Sequence, residues 1–204
     1  WPLIQKLLSI PVVKRMYIAH MKTMLTENVA SGTYSAECLN YQSIADTAVF
    51  KDPNKFGTYS QFTLCLTNSV VVGPKTVPGI FPFMNARMAY LNSTPEFQAT
   101  APLISNVGAS VNSPIINSTL YITADIGNVV TASLSTRTTA YDRFKRIPMF
   151  DDGAHGDGAA GDGKYGAAVT MSGNKLQYYI YADNANAGKF SPERAEHEFH
   201  TLYA

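Results

Sequence analysis

The hydrophobic pattern of this 204-residue chain changes period once, close to residue 100, and that change limits the folds open to it. Before it, apolar side chains recur at helical spacing. Pro2 stands where a first helical turn tolerates proline, and Leu3, Ile4, Leu7 and Leu8 follow on one face. Pro11 opens a second helix with Val12, Val13, Met16, Tyr17, Met21, Met24 and Leu25 on one side and Lys14, Arg15 and Lys22 on the other. Ala30-Ser-Gly-Thr33 breaks the pattern, and residues 35–50 resume it through Cys38, Leu39, Ile44, Ala45, Ala48, Val49 and Phe50. Asp52-Pro-Asn54 reads as a turn. Tyr59 to Val71 reads as a helix blurred by three valines, Gly73-Pro74 and Pro78-Gly79 bracket a loop, and Phe81 to Leu91 returns to helical spacing.

From Ala101 onward β-branched and aromatic residues dominate. Runs at Thr119–Ile126, Val129–Leu134, Tyr165–Met171 and Gln177–Ala182 alternate with Gly, Asn, Asp and Ser clusters, the spacing of an antiparallel sandwich. Strand alternation sends Leu120, Ile122, Ala124 and Ile126 into its core. Ala99-Thr-Ala-Pro102 fits a short linker that Pro102 stiffens. Charge divides along the same line: residues 1–103 carry eight Lys/Arg and five Asp/Glu, and residues 104–204 carry eight and ten. The chain therefore reads as α+β in two domains, a helical subdomain over 1–98 and an antiparallel β-sandwich over 103–204.

With 46% hydrophobic and 15% charged residues, the chain can bury a core. Its net charge of +1 excludes a strongly basic nucleic-acid binder. No apolar run reaches the roughly 18 residues of a membrane span. Two cysteines are too few for a disulfide scaffold. A start at Trp1, with no basic or signal-like segment, reads as a processed or excised piece of something longer.

The most distinctive segment is Asp151-Asp-Gly-Ala-His-Gly-Asp157-Gly-Ala-Ala-Gly-Asp162-Gly163, in which Asp-Gly recurs every five residues. Two readings stand. In one, Asp151, Asp152, Asp157 and Asp162 supply hard oxygen ligands to Ca²⁺ on a flexible glycine loop. In the other, the loop is a long hairpin in which each aspartate bonds its own backbone two residues on. The segment has neither the EF-hand order nor the nonapeptide period of calcium-binding β-rolls. No apolar pocket marks a catalytic carboxylate pair. No other cofactor is indicated, and no catalytic residue can be assigned.

Weaker signals read as structural. His197-Glu-Phe-His200 is one residue short of a zinc motif, and its histidines would face opposite ways on a strand, so it reads as a solvated terminal segment. Ser191-Pro-Glu193 fits a helix start or a turn before a last strand. Cys38 and Cys65 read as buried thiols, with a disulfide open to them only in an exported protein. Asn92-Ser-Thr94 and Asn117-Ser-Thr119 match glycosylation acceptors, which matter only on a eukaryotic secretory route. Tyr178, Tyr179 and Tyr181 offer the flat apolar faces and polar tips of a carbohydrate-binding strip, but Tyr178 with Ile180 and Tyr179 with Tyr181 lie on opposite faces of one strand, so at least one face belongs to the core and binding is the lesser reading.

Two sets of stretches carry a family resemblance. Pro11-Val-Val-Lys-Arg-Met-Tyr-Ile-Ala-His20, Asp52-Pro-Asn-Lys-Phe56 and Pro78-Gly-Ile through Arg87 to Leu91 resemble the C-terminal helical end of the spore coat protein H (CotH) kinase-like family. Met149-Phe-Asp-Asp-Gly, Gly161-Asp-Gly-Lys-Tyr-Gly166, Tyr178-Tyr-Ile-Tyr-Ala182 and Phe190-Ser-Pro-Glu-Arg-Ala-Glu-His-Glu-Phe199 resemble the immunoglobulin-like or fibronectin-like sandwich appended to such bacterial surface chains. The resemblance implies an exported bacterial protein, secreted or held at the cell surface by a protein or surface partner. It implies an atypical kinase parent whose nucleotide and metal ligands lie upstream of the matched part. No catalytic residue carries over, so the expected role is an accessory, spacer or binding module. The alternative is part of a kinase lobe completed by other residues.

Overall fold

A computed structural model describes residues 1–204. Two compact units make up the chain, one from Trp1–Met21 with Ala99–Ala204 and one from Lys22–Gln98.

The first unit holds helix α1 (Pro2–Leu8), helix α2 (Pro11–Met24) up to Met21, and the strands β3 (Leu103–Ala109), β4 (Thr119–Gly127), β5 (Thr131–Arg137), β6 (Lys145–Met149), β7 (Lys164–Thr170), β8 (Lys175–Asp183), β9 (Gly188–Ser191) and β10 (His200–Tyr203). They form two antiparallel sheets. One is three-stranded in the order β3-β4-β7. The other runs β10-β8-β5-β6, with β9 also pairing β8. The edge of β8 is shared: Lys175–Tyr178 pair with β10 and Ile180–Asp183 pair with β9.

The expected inward set of β4 is buried, with Leu120, Ile122, Ala124 and Ile126 at 1%, 0%, 0% and 3% exposure. Leu134, Val169, Leu176, Tyr178 and Ile180 meet them from the other strands. Burying a Leu or Ile of this kind stabilises by about 2 kcal/mol. The fold class is thus helices with antiparallel sheets that include a β-sandwich.

Strand β8, expected to give at least one face to the core, gives both: every residue from Leu176 to Asp183 is buried. Tyr178 and Ile180 fill the core between the sheets. Tyr179 and Tyr181 join Phe190, Ala195 and Ala19 in a second cluster against Val12, Met16 and Phe144. Helix α2 therefore covers this outer face. Tyr181 and Phe190 have ring centroids 4.8 Å apart, and His20 stacks on Phe190 at 4.3 Å.

The segment Ala99–Pro102, expected as a linker, is tied down. The Thr100 carbonyl accepts from the side-chain amides of Asn184 at 3.0 Å and Asn128 at 3.3 Å, and Pro102 is buried.

The second unit holds a π-helical segment (Leu25–Ala30), α3 (Thr33–Lys51), α4 (Tyr59–Leu64), the hairpin β1 (Val70–Val72) and β2 (Lys75–Val77), α5 (Ile80–Asn92) and α6 (Pro95–Gln98). The helix expected across Tyr59–Val71 stops at Leu64, because the β-branched valines pair instead with Lys75–Val77 around Gly73-Pro74. Thr58 caps α4, accepting from Gln61 N at 3.1 Å, while Gln61 Oε1 accepts from Thr58 N at 2.6 Å. Only Val29, Leu66 and Leu91 of this unit's apolar side chains are buried. Cys38 and Cys65 are free, half-buried thiols. No helix in either unit is long and apolar enough to cross a membrane.

Candidate functional site

The acidic glycine segment runs from the end of β6 to the start of β7. Its four carboxylates lie on one loop, and each is taken up by backbone N–H groups. Asp151 accepts from Gly161 at 2.7 Å, Asp162 at 3.2 Å and Gly163 at 3.0 Å, closing the loop across its base. Asp152 accepts from Ala154 N at 2.9 Å and meets His155 Nδ1 at 2.9 Å. Asp162 accepts from Ala159 N at 3.1 Å and Lys164 N at 2.9 Å.

Asp157 is fully enclosed, at 0% exposure. Its oxygens accept from the N–H groups of Asp152 at 2.7 Å, Gly153 at 2.8 Å and His155 at 2.8 Å. Enclosure alone would raise its pKa. The backbone donors, Gly153 first, outweigh that and hold the carboxyl below its ordinary value. Asp152 is also held low, first by its bond to His155 and then by the Ala154 N–H.

Turn formation two residues on, expected for every aspartate, holds for Asp152 and Asp162. Asp157 reaches backward instead and organises the loop from within. No three acidic, His or Cys side chains come together in a ligand set. The geometry is that of a self-capped turn array.

Two glycines let this array lie on the sheet. At Gly156, φ is +74° and an added Cβ would stand 2.9 Å from Tyr121 ring and Cβ atoms. On β7, a Cβ at Gly166 would sit 2.2 Å from the His155 carbonyl oxygen. The loop backbone thus crosses directly over β7, while Gly166 bridges to Phe150 through bonds of 2.7 and 2.9 Å.

A second polar centre lies on the outer face of β8 and was not foreseen. The Asp183 carboxylate is buried and accepts from Arg15 Nε at 3.0 Å and Nη2 at 2.7 Å, from the Thr131 hydroxyl, and from Tyr181 Oη at 3.4 Å. Burial and the neighbouring Asp183 charge push the Tyr181 phenol well above its ordinary range. Nothing in the spacing of Arg15 and Asp183 along the chain marks them as partners.

The terminal His197-Glu-Phe-His200 segment is only partly solvated. His200 lies half-buried on β10, its ring 5.1 Å from that of Tyr178, and Nε2 is 3.4 Å from Ser191 Oγ. His197 is exposed, so the two rings do not meet at one site.

Strand order and enclosed core together bear on relationship. Residues 115–188 match the family model of the conditioned medium factor second Ig-like domain. The match spans the stretch from the approach to β4 to the start of β9, including both faces of the sandwich. The sandwich is therefore Ig-like, and the match covers less than half of the chain. No curated protein matches the chain. Among solved structures, the crystal structure of the Br derivative BhCBM56 is similar at 11% identity, over 48% of this chain and 89% of that one, with a TM-score of 0.34. Similarity at that level carries no conclusion for this chain.

Proposed function

We propose that this chain is a non-catalytic part of an exported bacterial protein, in which the Ig-like sandwich acts as an accessory, spacer or binding module at the cell surface. The observation that carries this reading is the Ig-like sandwich itself, with its family match over residues 115–188. Its polar chemistry is spent on architecture: the carboxylates of Asp151, Asp152, Asp157 and Asp162 cap backbone, and Asp183 anchors helix α2 through Arg15. Contact with a partner then falls to the loop-bearing ends of the sandwich.

A second reading has its own support. Residues 22–98 leave Leu39, Ile44, Phe50, Phe56, Ile80 and Phe83 exposed around a core of three buried side chains. A helical piece of this kind gains stability by packing on more protein. In that reading it belongs to a CotH-like phosphotransferase lobe whose ATP and metal ligands come from other residues.

The two readings separate when nucleotide binding is titrated on this chain beside the full-length parent, since only the second expects the parent to bind ATP; the first is tested further by incubating the chain with labelled ATP and Mg²⁺ or Mn²⁺. The first reading expects no phosphate release or transfer above buffer. Turnover abolished by a point substitution within these residues would overturn it.

A further inference from the structure

The two cysteines lie on facing elements of the second unit. Cys38 is on α3, and Cys65 is the C-cap residue of α4. Along α3, Tyr34, Cys38, Gln42 and Asp46 recur every fourth residue and belong to the half-buried face of the helix, whereas Leu39, Asn40, Tyr41 and Ser43 are exposed.

The contacts of that half-buried face fix which residue meets which. The Asp46 carboxylate accepts from Tyr59 Oη at 2.6 Å. One turn back, Gln42 Nε2 donates to the Phe62 carbonyl at 2.6 Å and stands 4.0 Å from Cys65 Sγ. Two turns further back, the Tyr34 ring meets that of Phe81 edge-on, with centroids 5.8 Å apart. Phe81 N donates to the Leu66 carbonyl at 2.9 Å, and Ile80 N to the Cys65 carbonyl at 3.1 Å. From Asp46 back to Tyr34, α3 therefore passes Tyr59, Phe62 and the Cys65–Leu66 turn in order. Cys38 occupies the turn between Gln42 and Tyr34, and Cys65 lies between Phe62 and Leu66. The antiparallel register sets the two thiols opposite each other.

Both thiols are free and half-buried, so a small reagent can reach them. Cys65 Sγ donates to the Phe62 carbonyl at 3.1 Å, a weak thiol bond that is readily given up. Its place at a helix end, where the last turn frays, lets its backbone adjust.

We infer that Cys38 and Cys65 are a redox pair that closes to a disulfide between α3 and the end of α4. The oxidant is a second disulfide, of a small thiol such as glutathione or of another protein. One cysteine thiolate attacks it, forms a mixed disulfide and releases one thiol. The other thiolate then attacks the cysteine sulfur of that mixed disulfide, forms the Cys38–Cys65 bond and releases the second thiol. Two electrons and the two cysteine protons pass to the oxidant, which leaves as two thiols. The bond closes residues 39–64 into a loop in a unit that buries only three apolar side chains, where a cross-link adds most to a thin core. The pairing goes beyond the module reading and does not depend on it; export would place the chain where the bond persists.

The test uses the full chain equilibrated in glutathione buffers of graded ratio, quenched in acid, alkylated and mapped by mass spectrometry of its peptides. The same series is run in concentrated urea. The expected result is an intrachain Cys38–Cys65 peptide, with an effective thiol concentration at least about tenfold higher in native buffer than in urea. The oxidised chain should melt at least about 5 °C above the reduced one. The single variants Cys38→Ser and Cys65→Ser should yield only glutathione adducts of the remaining thiol. Glutathione adducts at both cysteines of the unmodified chain without the intrachain bond, an effective concentration no higher in native buffer than in urea, or a bond that lowers the melting temperature would each overturn the pairing. None of these outcomes bears on whether the sandwich is a binding module.

Discussion

Arg15 and Asp183 stand 168 residues apart in sequence, yet two nitrogens of the guanidinium, Nε and Nη2, donate to the same carboxylate oxygen at 3.0 and 2.7 Å. The pair fixes helix α2 across the outer face of β8, and the two ends of the bond differ in exposure. The Arg15 side chain keeps 20% of its surface in water, whereas Asp183 keeps 3%.

That asymmetry sets the first prediction. Arg15→Ala leaves a buried carboxylate beside the Tyr181 phenol and is expected to destabilise by about 3 kcal/mol. Asp183→Asn leaves an arginine that can turn to solvent and keeps a partner for Thr131, so its effect is expected to be about 1–2 kcal/mol. Urea unfolding of both variants checks the order, and an equal or reversed order contradicts the role given to the pair.

At Asp157, Asp157→Ala removes the acceptor of three loop N–H groups at once. The expected outcome is a melting temperature lower by about 5 °C or more. Because the carboxylates serve as caps, melts in EDTA and in millimolar Ca²⁺ should coincide for the unmodified chain. A rise in melting temperature with Ca²⁺ that Asp157→Ala abolishes would establish a cation on this loop and displace the capping account. Since the folded carboxyl is held below its ordinary value, its contribution is present above about pH 4 and fades as pH falls through the lower folded value.

The two half-buried histidines act in a higher window. Burial lowers the pKa of His20, against an opposing pull from Glu196, and burial likewise lowers that of His200. The unfolded chain therefore takes up protons first as pH falls below about 6.5. Stability from these residues is full above that value and declines toward the folded-state pKa. The urea midpoint should be higher at pH 7.5 than at pH 5.5, and the difference should shrink in the double variant His20→Phe, His200→Phe, which keeps both ring stacks. An unchanged difference in that variant would assign the pH dependence to other groups.

How far the sequence foretold this molecule depends on whether the determining contacts are local. The inward face of β4 was legible because Leu120, Ile122, Ala124 and Ile126 alternate with a period of two. On β8 the same reasoning placed at least one face in the core but could not show that both are covered, because the cover for Tyr179 and Tyr181 comes from α2 at the far end of the chain. The hairpin at Val70–Val77 was hidden in a valine run continuous with a helical pattern. Strands β9 and β10, of four residues each, are too short for alternation to register. The acidic loop announced itself by composition, but only the structure shows Asp157 turned inward as its organiser.

The most direct test of the account is co-sedimentation of the full chain with washed bacterial cell envelopes, measured without nucleotide and in EDTA across a range of salt. A surface-binding module predicts saturable retention that needs neither metal nor ATP. A chain that stays in the supernatant at all salt concentrations, or sediments only when ATP and a divalent metal are supplied, would contradict it.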